Sequence, residues 1–364
     1  MSLEPLFQPI TFGNLTLPNR WVMAPMSRYA CPDRVPTPEL SAYHRRRAEG
    51  GVGLMMTGGC AIDRIEANNS PVLADFRAVS QPAWEDLVTE THLAGGHISL
   101  QMFHAGGRFN REPWWRPAPL VSPSGLGGPD FVVGEPLSDE AIADIIAGFG
   151  EAAADAKRIG FDAVEIHGAH GFLIDQFFWD QTNKRGDRWG GVHLGDRLEF
   201  ALEIYRAARA AVGPDMPVSL RISQWKEQDY LARLAETPDA LAAWVGPFVD
   251  AGVDYISCSQ RRFWQPEFEG SDMNLAGWVK KVTGARTMAV GSIGLDRDVT
   301  ASFAGDSAVP APLTGLVEMF ERGDFDLVGL GRVLLADPHW IEKVREGRFS
   351  ELIPFDANAA NVVW

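Results

Sequence analysis

Two histidines three residues apart, His167 and His170, lie in the segment Glu165-Ile166-His167-Gly168-Ala169-His170-Gly171-Phe172-Leu173. The apolar run before them reads as a buried strand over 163–167. In a parallel α/β protein, ligands bind at the carboxyl ends of strands. Two imidazoles placed there can donate a pair of hydrogen bonds to one oxygen. The same spacing also suits a metal pair, or two loop histidines satisfied by their neighbours, so the elements that carry them decide the reading.

Short apolar runs alternate with helical patterns along the whole chain. The strands are predicted at 21–24, 53–57, 97–102, 163–167, 218–222, 255–258, 287–291 and 327–330. Helices are predicted near 38–49, 83–94, 139–159, 196–212, 238–251, 275–283, 313–322 and 338–346. Thr37-Pro38, Thr237-Pro238 and Asp337-Pro338 each place a capping side chain before a proline at the first helical position. Ser138-Asp139-Glu140 is a cap with acid in the first turn. Such repeats predict a closed (β/α)8 TIM barrel in one domain spanning 1–364. A doubly wound sheet would show a Gly-rich fingerprint after its first strand, and Pro25-Met26-Ser27-Arg28 stands there instead. The longest irregular stretch, 103–137, follows strand three and is predicted to cap a site.

Barrel strands alternate inward and outward. That count turns Glu165 and His167, Ser99 and Gln101, and Ser219 and Arg221 toward the axis. An inward arginine must be paired or must hold a ligand. A Glu165–Arg221 ion pair would satisfy it, yet leave unexplained why Gln101, His167 and His170 converge on one face. A planar polar heterocycle above the barrel mouth would use them all, since Gln offers a donor and an acceptor side by side. Gly291-Ser292 after strand seven and Gly331-Arg332 after strand eight predict a phosphate cradle, where TIM barrels commonly bind that group.

The net charge of −15 disfavours nucleic acid and anionic membranes as partners. Three scattered cysteines imply no disulfide framework, and the start of the chain shows no signal peptide, so a cytoplasmic location is expected. Trp114, Trp115 and Trp264 fall in polar, Pro-rich loops, where they either line a pocket or pack the loop itself.

Read together, these motifs resemble the Old Yellow Enzyme family of FMN-dependent oxidoreductases. The resemblance runs over essentially the whole chain: Leu6-Phe7-Gln8-Pro9-Ile10, Leu17-Pro18-Asn19-Arg20, Ala24-Pro25-Met26-Ser27-Arg28, Gln101-Met102-Phe103-His104-Ala105-Gly106, the His167–His170 segment, Asp187-Arg188-Trp189-Gly190-Gly191 and Gly331-Arg332. It implies a TIM barrel with bound FMN, NADH or NADPH as co-substrate, and an electron-poor small-molecule acceptor such as an α,β-unsaturated carbonyl. By the same resemblance, Ala24, Pro25 and Met26 pack on the flavin, Ser27 lies near its reactive edge, and Gly59 makes a backbone contact. Gln101 and Arg221 hold the polar ring, while Gly291, Ser292, Gly331 and Arg332 cradle the phosphate. His167 and His170 grip the acceptor's oxygen and Tyr29 touches it. No metal is implied, and, as many relatives are dimers or tetramers, the resemblance implies a homodimer or homotetramer as partner state.

The family's ene-reductases carry tyrosine two residues after the second histidine; this chain has Phe172 in the acceptor pocket. Another acid, such as Tyr29 or water, then protonates the product carbon, or the acceptor is a nitro group or quinone that needs none, or the enzyme oxidises an amine or alcohol. Trp264, in the Arg261-Arg262-Phe263-Trp264 loop, is expected to help clamp an anionic substrate or the nicotinamide. Competing readings are a flavin-free isomerase or lyase on phosphorylated sugars, with Glu165 or His167 as base, and a hydrolase with a metal on His167, His170 and His104. The latter lacks an acidic third ligand.

Overall fold

The computed structural model describes residues 2–108, 115, 117–303 and 307–364. Its centre is a closed barrel of eight parallel strands: β1 (Trp21–Met23), β2 (Leu54–Met56), β3 (Ile98–Phe103), β4 (Ala163–His170), β5 (Val218–Lys226), β6 (Ile256–Ser259), β7 (Thr287–Val290) and β8 (Leu327–Leu330). Each pairs with the next, and β8 pairs with β1 to close the ring. The barrel helices include α1 (Pro38–Glu49), α2 (Gln81–Leu93), α3 (Asp139–Ile159), α4 (Glu199–Val212), α5 (Pro238–Asp250), α6 (Leu275–Thr283), α7 (Thr314–Glu321) and α8 (Trp340–Arg345). No helix among the described residues is long and apolar enough to cross a membrane.

Three expected caps are in place. The side chains of Thr37, Ser138 and Thr237 accept from the backbone N–H groups of Leu40, Ala141 and Ala240, each satisfying a donor the helix cannot. The fourth is corrected: α8 starts at Trp340, and Asp337 instead accepts from His339 N and pairs with Lys343 Nζ at 2.8 Å. A turn over Asp337-Pro338 uses the acid before the helix begins.

The interior is divided. Val22, Ala24, Leu54, Met56, Met288, Val290 and Leu327 form an apolar cluster, closed below by the hairpin of Ile10–Phe12 and Leu15–Leu17, with Phe12 5.2 Å from Tyr255. Polar side chains occupy the opposite half, on β3 to β6: Gln101, Glu165, Ser219, Arg221, Ser257 and Ser259 are all buried. A ring laid across the mouth therefore meets apolar walls on one side and hydrogen-bonding groups on the other.

The stretch after β3 is not wholly irregular. It contains a small antiparallel hairpin, Leu126–Gly128 with Phe131–Val132. The hairpin sits directly on the turn after β3: a side chain at Gly107 would come within 2.8 Å of Gly127 Cα, so only glycine allows that approach.

His44 on α1 is buried, with Nδ1 2.9 Å from the Leu40 carbonyl and Nε2 without a partner. Burial pushes its pKa down to about 4. The native state thus refuses a proton that the unfolded chain accepts below pH ~6.5. Stability is full above that pH and is lost as pH falls toward 4. His44→Phe should remove this loss, flattening the pH dependence of urea-unfolding free energy by about 1.4 kcal/mol per pH unit between pH 6 and 4.5. Parallel curves for variant and parent would refute the assignment.

Candidate functional site

Gln101 on β3 donates from Nε2 to Glu165 Oε1 at 2.7 Å. This fixes the amide's orientation and turns its carbonyl oxygen away from the carboxylate. A side chain at Gly59 would lie 3.5 Å from that oxygen, so Gly59 keeps the space beside it open. Burial raises the Glu165 carboxyl, with Arg221 and Gln101 pulling the other way. The direct Glu165–Arg221 ion pair, one of the two arrangements weighed from the sequence, is not formed. Strand register sets Arg221 beside His167, one inward step above Glu165, which faces Ser219. Arg221 donates instead to Ser257 Oγ at 3.4 Å and Ser259 Oγ at 3.1 Å, and its Nε is buried without a partner. Orphaned buried donors are costly, so this one marks a place for an external acceptor.

His167 and His170 come together above this layer, with ring centroids 5.2 Å apart and planes at 89°. Burial drives both pKa values well below the ordinary histidine range, and Arg221 adds to the shift. Both rings are therefore neutral at physiological pH and can each donate one N–H. His170 is held by three contacts: its N–H takes Ser223 Oγ at 3.0 Å, its ring stacks on Trp225 at 4.3 Å, and its Nε2 meets Ser259 Oγ at 2.8 Å. Ser259 also accepts from Arg221, and when its hydroxyl proton points at Nε2 the His170 ring N–H sits on Nδ1. Its φ of +62° is unusual for a non-glycine residue and is carried by these contacts. The Nδ1 of His167 is buried without a partner.

A buried ion pair supports the turn. Lys226 Nζ lies 2.9 Å from Asp175 Oδ1, both side chains fully enclosed, and also donates to the carbonyls of Ser223 and Gln224. Asp175 Oδ2 accepts from Gly171 N at 2.7 Å. The pair thus ties the end of β5 to the residue after His170.

Beyond β7 and β8 the two glycine turns meet. Arg332 donates to Ser292 Oγ at 2.9 Å and to the carbonyls of Asp298 and Arg297. Arg262 pairs with Asp298 at 2.6 Å and Arg261 with it at 3.5 Å. Two guanidinium groups therefore flank the Asp298 carboxylate and a third, Arg332, holds its backbone carbonyl, all beside Gly291 and Ser292, a setting that leaves positive charge for an added anion. Gly291 has φ +152°, and a side chain there would strike the Gln260 carbonyl at 2.7 Å. At Gly331 the nearest atom to such a side chain is Met26 Sδ at 3.5 Å, so Gly331 adjoins the Ala24-Pro25-Met26 segment leaving β1.

Ser27 and Gly59 border one small hollow. Tyr29 is 53% exposed and has φ +49°. Phe172 lies 4.7 Å from the His167 ring and 5.2 Å from Phe103. Trp264 packs edge-on against Phe263 at 5.2 Å, in the loop whose Arg261 and Arg262 pair with Asp298. Trp115 takes Arg34 over its ring at 5.4 Å, and Trp114 lies outside the described residues. His104 is a turn residue whose Nδ1 accepts from Gly106 N at 3.0 Å. Among the described residues, no three His, Cys, Asp or Glu side chains are grouped to hold a metal. The terminal segment docks on its own barrel, where Arg28 and Arg47 donate to the carbonyls of Val362 and Trp364.

Sequence reasoning missed Ser259, Trp225, Asp175 and Lys226 as site residues. Ser259 was within reach, because alternation from Ser257 turns it inward. Trp225 and Lys226 gave no such signal, since β5 was expected to end at residue 222 and instead continues past a break in its register.

Residues 5–310 match the family model described as NADH:flavin oxidoreductase / NADH oxidase family. The chain is 32% identical over 96% of its length to the metal reductase of Desulforamulus reducens, and covers 50% of that protein. It is 31% identical over 93% of its length to putative 12-oxophytodienoate reductase 13 of Oryza sativa, covering 88% of it. The chain thus spans about half the length of some of the curated relatives it matches. Morphinone reductase in complex with tetrahydroNAD superimposes with a TM-score of 0.78 at 25% identity, over 98% of this chain and 93% of that one. A barrel with this divided mouth, a neutral histidine pair and arginine-flanked glycine turns after β7 and β8 agrees with that match. The chain belongs to the NADH:flavin oxidoreductase / NADH oxidase family, the oxidoreductases of Old Yellow Enzyme type that use FMN with a nicotinamide co-substrate.

Proposed function

We propose that this chain takes hydride from NADH or NADPH and passes it to an electron-poor acceptor such as an α,β-unsaturated carbonyl. The observation that carries this reading is the neutral His167–His170 pair at the polar side of the mouth, with the Nδ1 of His167 unpartnered. FMN fits the residues present: Gln101 and Arg221 would hold its polar ring, the apolar segment from Ala24 to Met26 its other side, and Gly291, Ser292, Gly331 and Arg332 its phosphate. When bound, it supplies the hydride. The chain's own task is to hold the acceptor. Neutral imidazole donors on the carbonyl oxygen draw charge toward it, and they keep this ability through the physiological pH range. Gln101 is aimed by Glu165, and His170 by Ser259 and Trp225, so neither reorganises during reaction.

A second reading is favoured by Phe172, which brings no proton to the place where the family's ene-reductases have tyrosine. Nitro or quinone acceptors need no protonation at carbon. The discriminating experiment bleaches the flavin with NADPH or NADH without oxygen and then adds 2-cyclohexenone, a nitroarene or a quinone. Return of colour with the enone supports the first reading; return with the other acceptors alone supports the second. Phe172→Tyr should raise the enone rate about 100-fold, the lower end of the range for general acid catalysis. An unchanged rate would show that another group already supplies the proton.

A further inference from the structure

Arg108 has no place in the chemistry above, yet it adjoins the same mouth. Its guanidinium carbon lies 4.4 Å from the centre of the Phe172 ring, and that ring is 4.7 Å from His167. The charge is therefore one aromatic ring removed from the imidazole that receives the acceptor's oxygen. Phe172 offers a stacking face where tyrosine would have offered a hydroxyl.

The position is enclosed: the Arg108 side chain is 16% exposed. A cation so placed requires a counter-charge. Its acceptor among the described residues is the carboxylate of Glu227, which is 39% exposed and lies on the rim. A planar guanidinium carries five N–H donors and suits a two-oxygen anion. Arg108 lines an open cleft of about 760 Å³. Gly127 and Gly128 of the hairpin, Gln228 and Tyr230 complete the walls. Tyr29 and Tyr230 are close enough to act on Arg108 electrostatically. Burial lowers the Arg108 pKa to about 10, so the group stays cationic at neutral pH. The turn that presents it is fixed, since Gly107 N donates to Gln176 Oε1 at 3.0 Å.

We propose that Arg108 is a specificity residue that binds a carboxylate on the acceptor, and that Glu227 occupies the carboxylate's place until the acceptor displaces it into solvent. The inference deepens the proposed function: it assigns the acceptor to the anionic, carboxylate-bearing class. His167 and His170 take one end of such a molecule and Arg108 the other, which orients the reacting bond between them.

The test measures binding to the FMN-loaded protein by calorimetry, using cyclohexanecarboxylate and its uncharged amide as non-reducible probes. The acid should bind about 10–100-fold tighter than the amide, as expected for a charge-assisted bond. Arg108→Gln should close that gap, Arg108→Lys should restore part of it, and Glu227→Gln should tighten the acid without tightening the amide. Equal affinity of acid and amide in the parent protein would overturn the proposal, as would an equal loss for both in Arg108→Gln. The enone experiment is independent of this one. If no enone restores flavin colour but the acid binds through Arg108, the ene-reductase reading fails and the carboxylate site stands.

Discussion

Replacing Lys226 with methionine is expected to lower the unfolding free energy by about 3–5 kcal/mol, because it leaves Asp175 as an uncompensated carboxylate in a fully enclosed site. Lys226 and Asp175 are both fully enclosed. Burial pushes the lysine down and the carboxyl up, and their mutual attraction opposes both shifts. The penalty should be largely relieved by the second change Asp175→Leu, since replacing both partners by apolar groups is often neutral. Function should not recover with stability. Asp175 also holds Gly171 N, and Lys226 fixes two carbonyls at the end of β5. The double variant should fold yet reoxidise its flavin more slowly with any acceptor. Urea unfolding of the parent, single and double variants provides the first readout, and anaerobic stopped-flow the second. A loss below about 1 kcal/mol for Lys226→Met would mean that water reaches the pair.

His167→Ala should reduce acceptor-dependent flavin reoxidation about 10²–10³-fold, the usual cost of removing one donor to a developing oxyanion. Flavin content should remain near the parent's, because Gln101, Arg221 and Arg332 do not depend on His167. The loss should appear in kcat/KM for every carbonyl acceptor. A fall of less than threefold would remove His167 from the oxygen-binding role. Ser259→Ala tests the tautomer argument separately. Without the serine hydroxyl, His170 Nε2 loses its hydrogen-bond partner, and Ser259 no longer sets which ring nitrogen carries the proton. The rate should fall less than with His167→Ala, and the pH profile should change, since Arg221 loses an acceptor at the same time.

Much of this site was legible along the chain because the period of a strand is short. Period-two alternation placed Gln101, Glu165, His167 and Arg221 on the inner face, where Gln101 meets Glu165, Arg221 meets Ser257 and Ser259, and His167 meets His170. The glycine turns after β7 and β8 were visible for the same local reason, since each needs only its own few residues. The helices at 38–49, 139–159 and 275–283 match α1, α3 and α6 end to end, where caps and apolar spacing agree. The placement of Trp264 could not be read in this way. Composition marked an aromatic loop, but ion pairs to Asp298, from outside the loop, decide where it points.

The sequence by itself determined the alternation of strands and helices, hence the closed barrel, and the inward residue types at each level of it. These follow from backbone periodicity and burial, which act over a few residues. Only the tertiary structure decided which inward groups meet. Arg221 reaches serines rather than Glu165 because strand register offsets the two by one inward step. Lys226 finds Asp175, and Arg108 lies on Phe172, across separations of 51 and 64 residues, the second following from the numbering. Such meetings depend on barrel shear and on how loops fold over the mouth. Both are set by the sum of many distant contacts, and no local pattern encodes them.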